Sequence, residues 1–135
     1  MKNLIYLALH QDGFCREAIA SIRSFYHVVE GVDEEYRIVI YTNRSRCFED
    51  FLSSGSYGAV QVRSLSEQTV RDWFGAANYV YRAKILSLIT FMEAEGDSAI
   101  FVDSDTFFLS DPSSLFQKLA PGRALLNYEE HRLHD

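Results

Sequence analysis

Cysteine, basic charge and long apolar runs are all scarce in this chain, and each shortage excludes something. Two cysteines in 135 residues, Cys15 and Cys47, cannot supply the disulfide framework of a small secreted domain, and they form no metal-spaced pair. They are expected to be free thiols in a reducing compartment. The longest unbroken apolar run, Leu4–Leu9, falls far short of the ~18 residues that cross a bilayer. Lys2 precedes that run, but it is too short for a secretion signal, and His10, Gln11 and Asp12 follow where small residues would prepare cleavage. A cytoplasmic chain without a transmembrane segment is expected. Basic residues number 13 against 19 acidic ones, a formal net charge of −6, and no basic stripe is visible. A nucleic-acid partner is therefore not expected. A phosphorylated ligand would need local positive charge from a metal, a few placed Lys or Arg, or helix N-termini.

What is present is an ordinary globular composition: 47% hydrophobic and 24% charged residues, which argues one folded domain over residues 1–135. Short apolar runs alternate with helical stripes. Asn3–Leu9 reads as a buried strand. Ala18, Ile22, Phe25, Tyr26 and Val29 then repeat with a 3.6-residue period, with Asp12 as the N-terminal signal and Gly31 as the stop. Tyr36–Tyr41 is a second buried strand, Thr42 and Asn43 a turn, Arg44–Leu52 a short helix and Ala59–Val62 a third strand. Ser66–Phe74 reads as a helix. Val80–Glu95 is a stronger one, with the stripe Tyr81, Ile85, Leu88, Ile89 and Met92 expected to face the core and Gly96 expected to end it. Ala99–Val102 is the next strand. A short helix over Pro112–Leu119, capped by Asp111, is followed by a break at Pro121 and Gly122 and a last strand candidate, Arg123–Tyr128. The alternation predicts an α/β domain with a mostly parallel sheet and helices on both faces.

Ligands of open α/β sheets bind beyond the carboxyl ends of the strands. Two carboxylates, Asp103 and Asp105, follow the strand Ala99–Val102 directly. On an extended backbone, positions two apart share a side. Two carboxylates facing one crevice repel unless a cation lies near them, and hard oxygen ligands select Mg²⁺ or Mn²⁺. Asp is also an ordinary turn residue, but here apolar segments stand on both sides of the pair. On the preceding helix, Lys84 lies at one margin of the stripe and Arg82 near the other. Either could reach the strand ends, or rest with its stem on the core boundary. His27 is expected to be structural or exposed, and Trp73 to belong to the core.

The stretch YRAKILSLITFMEAEGDSAIFVDSDTFFLSDPSSLF, residues 81–116, resembles the donor-binding segment of GT-A-fold glycosyltransferases, most of all the family-8, glycogenin-like group. The shared features are a helix carrying Lys or Arg, a buried strand, D-x-D, an apolar pair, and an Asp-Pro turn into a short helix. The resemblance implies a Rossmann-like sheet and a metal-dependent sugar transfer from a nucleotide-sugar donor, with a UDP-sugar as the expected donor. The acceptor is left open among glycans, proteins and small molecules. It implies that Asp103 and Asp105 hold Mn²⁺ or Mg²⁺ with the donor's diphosphate. Ser104 would approach the ribose or sugar through its backbone, Lys84 would reach the donor and the first Asp, and Ala8, Leu9 and His10 would line the base and ribose. The resemblance spans nearly all of this chain but about the first half of the family's catalytic domain. The chain is accordingly expected to be truncated after its donor-binding half, without the acceptor loops, a strand beside the D-x-D strand, or the family's late histidine ligand. His131 and His134 stand too close to the last strand candidate to match that histidine.

Two other readings remain open. Haloacid-dehalogenase-type phosphatases also place D-x-D after an apolar strand, which would make Asp103 a nucleophile. Phe107 stands where that motif expects Thr or Val. The third reading is a non-catalytic, truncated α/β module that binds a partner, including a second copy of itself, through an open sheet edge.

Overall fold

The computed structural model of the chain describes residues 1–119. Its centre is a four-stranded, all-parallel sheet in the order β3-β2-β1-β4. The strands are β1 (Lys2–Ala8), β2 (Tyr36–Thr42), β3 (Val60–Ser64) and β4 (Ala99–Phe101). The helices are α1 (Asp12–Val28), α2 (Val32–Glu35), α3 (Glu49–Ser53), α4 (Glu67–Phe74), α5 (Val80–Glu95) and α6 (Ser113–Lys118), with a 3-10 turn at Ser45–Phe48. This is the expected α/β class, consistent with a Rossmann-like arrangement.

The two-residue alternation of a strand sorts the core into two layers. Leu4, Tyr6 and Ala8 of β1, with Ile38 and Ile40 of β2, point to the face covered by α1, where they meet Ala18, Ile22 and Phe25. Ile5 and Val39 point to the opposite face, with Tyr41, Trp73, Ala83 and Phe91. Complete burial of Ile22 and Phe25 contributes about 1.5–3 kcal/mol for each side chain. One polar pair crosses the first layer: Tyr6 and Ser21 share a buried hydroxyl hydrogen bond of 2.8 Å.

The stripe expected on α5 does not face the sheet. Ala83, Ser87 and Phe91 are its buried residues, while Tyr81, Ile85, Ile89 and Met92 are exposed and Leu88 is partly buried. The helix is apolar on almost every side, so periodicity alone selects no single face. The small Ala83 and Ser87 let the helix axis approach the sheet, and Phe91 fills the space beyond.

Smaller differences have local causes. Gly31 does not end α1; in left-handed conformation (φ 66°) it starts the extra turn α2. The helix expected over Arg44–Leu52 divides into the 3-10 turn and α3. Asp111 accepts from the Ser113 amide at 2.9 Å, so it supplies the expected cap although α6 starts after Pro112. Gly96, left-handed at φ 66°, ends α5 as expected. The strand candidate Arg123–Tyr128, the break at Pro121–Gly122, and His131 and His134 lie outside the described residues.

Candidate functional site

Strand order fixes where a site can form. The chain leaves β1 through α1 toward β2 and β3, then returns through α4 and α5 to β4 on the other side of β1. Helix α1, which leaves β1, and helix α5, which enters β4, cover opposite faces of the sheet, so the carboxyl ends of β1 and β4 lie side by side where ligands of open α/β sheets bind. The last β1–β4 pair is Ile5 with Phe101, and the Val102 amide still donates to the Ile5 carbonyl at 2.8 Å. Asp103 leaves the sheet immediately afterwards, beside the segment that ends in His10.

The backbone does not stay extended through D-x-D. The Asp103 carbonyl accepts from the Thr106 amide at 3.2 Å and the Thr106 hydroxyl at 2.7 Å, which closes a tight turn. Asp103 and Asp105 are therefore first and third residues of a turn, not alternate residues of a strand. The assumption of an extended backbone, which would put both on one side, does not hold. Asp103 is about half exposed and its Oδ1 lies 2.5 Å from Lys84 Nζ. Asp105 is exposed. Ser104 is partly buried, and its hydroxyl donates to Glu17 Oε2 of α1 at 3.2 Å.

Lys84 holds its position because Ala83 beside it faces the sheet, which directs the next side chain toward the strand ends. Its ammonium also lies 5.0 Å from the Tyr81 ring and 5.7 Å from the Phe101 ring. The alternative of a lysine merely resting its stem at the core boundary gives way to a specific ion pair. Arg82 does not reach the strand ends. It donates to the carbonyls of Asp72 and Trp73, the latter at 2.8 Å, and so caps the C-terminus of α4.

On the β1 side, Ala8 and Leu9 are buried, so only their backbones can face a ligand. His10 is exposed and adopts a left-handed conformation, φ 71°, which is unusual for a residue with a Cβ. Asn43 holds it there: its Oδ1 accepts from the His10 amide at 2.9 Å, and its Nδ2 donates to Glu67 Oε1 at 3.0 Å. The His10 ring lies 5.5 Å from that of Phe74. Asn43 and Glu17 were not singled out by the sequence. A polar residue directly after a buried strand is a signal for the first; nothing local marks the second.

The segment after D-x-D is anchored along α1. The Phe108 amide donates to the Ser24 hydroxyl at 2.9 Å, and the Phe108 ring meets Phe25 edge-on at 4.8 Å. Farther along, the Tyr36 hydroxyl donates to Asp111 Oδ1 at 2.5 Å, which holds the Asp111 carboxyl below the usual range. Burial, reinforced by the Asp111 carboxylate, pushes the Tyr36 phenol up. His27 is exposed and Trp73 is buried, as expected.

Two carboxylates and a serine backbone beside β1 offer hard oxygen donors. No group of three or more His, Cys, Asp or Glu gathers among the described residues. Among the described residues no helix is long and apolar enough to cross a membrane. Comparison of the chain with protein-family models, with curated proteins and with solved structures found no match.

Proposed function

We propose that this chain binds the nucleotide-sugar donor of a metal-dependent glycosyltransferase with a GT-A fold of the family-8 type, and that a UDP-sugar is that donor. The observation that carries the reading is the position of Asp103, Ser104 and Asp105 just beyond the carboxyl ends of neighbouring β1 and β4, with Lys84 on the first carboxylate. In this reading Asp103 and Asp105 hold Mn²⁺ or Mg²⁺ together with the donor diphosphate. The bound cation supplies charge to offset the departing nucleoside diphosphate.

Lys84 has two tasks. It orients Asp103 before the donor arrives, and it adds a positive charge beside the diphosphate. The Ser104 hydroxyl is occupied by Glu17, which leaves its backbone to face the ribose or sugar. The exposed His10 ring and the backbones of Ala8 and Leu9 flank the base and ribose. The net acidic chain thus receives an anionic ligand only where Lys84 and a cation supply the opposite charge. The acceptor belongs to the glycan, protein or small-molecule classes, and its binding groups are not among those described.

Isothermal titration with uridine diphosphate tests the reading. Binding is expected with Mn²⁺ or Mg²⁺ and is expected to vanish in chelator. Equal affinity in both would remove the metal from the proposal. Hydrolysis of an aryl phosphate, lost on Asp103→Asn, would replace a transferase by a phosphatase.

A further inference from the structure

Cys15 and Cys47 are free thiols 32 positions apart on α1 and the 3-10 turn, two elements that pack against each other. Cys15 is buried in the layer beneath α1; Cys47 packs against that same layer but is only partly buried. The Cys47 thiol donates to Asp12 Oδ1 at 3.1 Å. Asp12 stands one turn before Cys15 on α1, so the acceptor of the outer thiol lies on the helix face that carries the inner one. Arg44 clamps the same Oδ1, with Nε at 2.6 Å and a second guanidinium nitrogen at 2.5 Å. The Cys47 and Arg44 contacts hold the Asp12 carboxyl below its usual range.

Burial and the neighbouring Cys47 sulfur push the Cys15 thiol up to about 12. Cys47 reaches Asp12 one turn from Cys15 and packs on the layer that encloses Cys15, yet the two thiols are unequal: Cys15 is buried and Cys47 reaches solvent. Cys47 also lines a groove of about 390 Å³ between α1 and α3, with Arg16, Arg23, Asp50 and Phe51. That groove gives a small polar oxidant a path to the Cys47 sulfur and none to Cys15.

We propose that Cys15 and Cys47 form a dithiol oxidation site, in which the Cys47 sulfur attacks hydrogen peroxide and Cys15 then closes an intramolecular disulfide. In the first step a Cys47 S–O bond forms and the peroxide O–O bond breaks. The departing hydroxide takes the thiol proton and leaves as water. In the second step the Cys15 sulfur displaces hydroxide from the Cys47 sulfenic acid. The S–S bond forms, the S–O bond breaks, and the Cys15 proton leaves in a second water. Two thiols are oxidised and one peroxide is reduced to two waters.

The site is independent of sugar transfer, and its test uses the full chain and hydrogen peroxide. Intact-mass spectrometry is expected to show gain of one oxygen, then loss of two hydrogens relative to the starting chain. Peptide mapping should link Cys15 to Cys47, at a rate independent of protein concentration. Cys15→Ala should stop at a dimedone-trappable Cys47 sulfenic acid. If removing the buried thiol prevents folding, Cys47→Ser, on a partly exposed site, carries the test: Cys15 should then react at least about tenfold more slowly than Cys47 does in the parent chain. Three results would overturn the proposal: Cys47 advancing to sulfinic acid while Cys15 remains a free thiol, a linkage found only between chains, or Cys15 reacting at undiminished rate in Cys47→Ser.

Discussion

Lys84 and Asp103 illustrate how one residue pair serves both stability and ligand chemistry. Both are partly exposed, so as an ion pair alone they contribute little to folding. Next to a diphosphate the same lysine becomes a charge-assisted donor. Lys84→Ala is expected to weaken uridine diphosphate binding by about 1–3 kcal/mol with a melting temperature close to that of the parent chain. Titration calorimetry and a thermal scan separate the two effects, and unchanged affinity would confine Lys84 to a structural role. Asp105 has no ion-pair partner among the described residues. Asp105→Ala should therefore abolish the metal dependence of binding without unfolding the chain; an unaltered titration would remove Asp105 from the site. His10 carries backbone strain, φ 71°, just beyond the carboxyl end of β1. His10→Gly relieves that strain, which offsets the extra freedom of glycine in the unfolded chain. Stability should stay near the parent value, so any loss of nucleotide affinity in that variant reports the imidazole itself.

At the scale of elements, α5 separates what is apolar from what is buried. Phe91 is fully enclosed against the sheet and lies under the guanidinium groups of Arg37 and Arg63. Phe91→Ala is expected to cost about 3–5 kcal/mol by chemical denaturation. Ile85, on the opposite side, is 59% exposed, and Ile85→Ser should change stability by no more than about 0.5 kcal/mol. The reverse ranking would mean that the helix is rotated to bury the stripe expected from its sequence. This helix also marks the limit of pattern reading. In α1, polar residues interrupt the stripe cleanly: Ala18, Ile22 and Phe25 are buried as the period requires, Tyr26 is partly buried, and Val29 is buried just past the helix end. In α5 apolar residues occur on nearly every side, and the choice of face rests on which small residues permit close approach. That is a property of packing, invisible along one chain. D-x-D was legible as a pair beyond a strand because β4 is short and apolar, whereas the turn that separates its carboxylates depends on hydrogen bonds made by Thr106. The partners Glu17 and Asn43 come from α1 and the end of β2, too far along the chain for local spacing to show them.

Across the whole molecule, one carboxylate joins three elements. Glu95, at the end of α5, pairs with Arg37 of β2 and Arg63 of β3, each at 2.7 Å. Arg63 first and Arg37 second hold its carboxyl below the ordinary value of 4.5. A carboxyl lowered in the folded chain binds fewer protons there than in the unfolded chain. Its stabilisation is therefore fully present above about pH 4.5 and is lost as pH falls through the folded value. Unfolding midpoints measured between neutral and acid pH should decline over that window, and Glu95→Gln should flatten the decline. An equal slope in both proteins would assign acid sensitivity to other carboxylates.

Helix α1 also sets a length for the segment that carries the aspartates. Glu17 and Ser24 are seven residues apart, about 10.5 Å along the axis, and they fasten Ser104 and Phe108 respectively. Four residues can span roughly 13–14 Å when fully stretched. With one residue removed the reach shrinks to roughly 10–11 Å, so keeping both fastenings would stretch the segment fully and break the turn closed by Asp103 and Thr106. The segment can therefore exchange the exposed Phe107 side chain far more freely than it can lose a residue. A ruler built into a neighbouring helix sets how few residues may pass beyond the ends of β1 and β4.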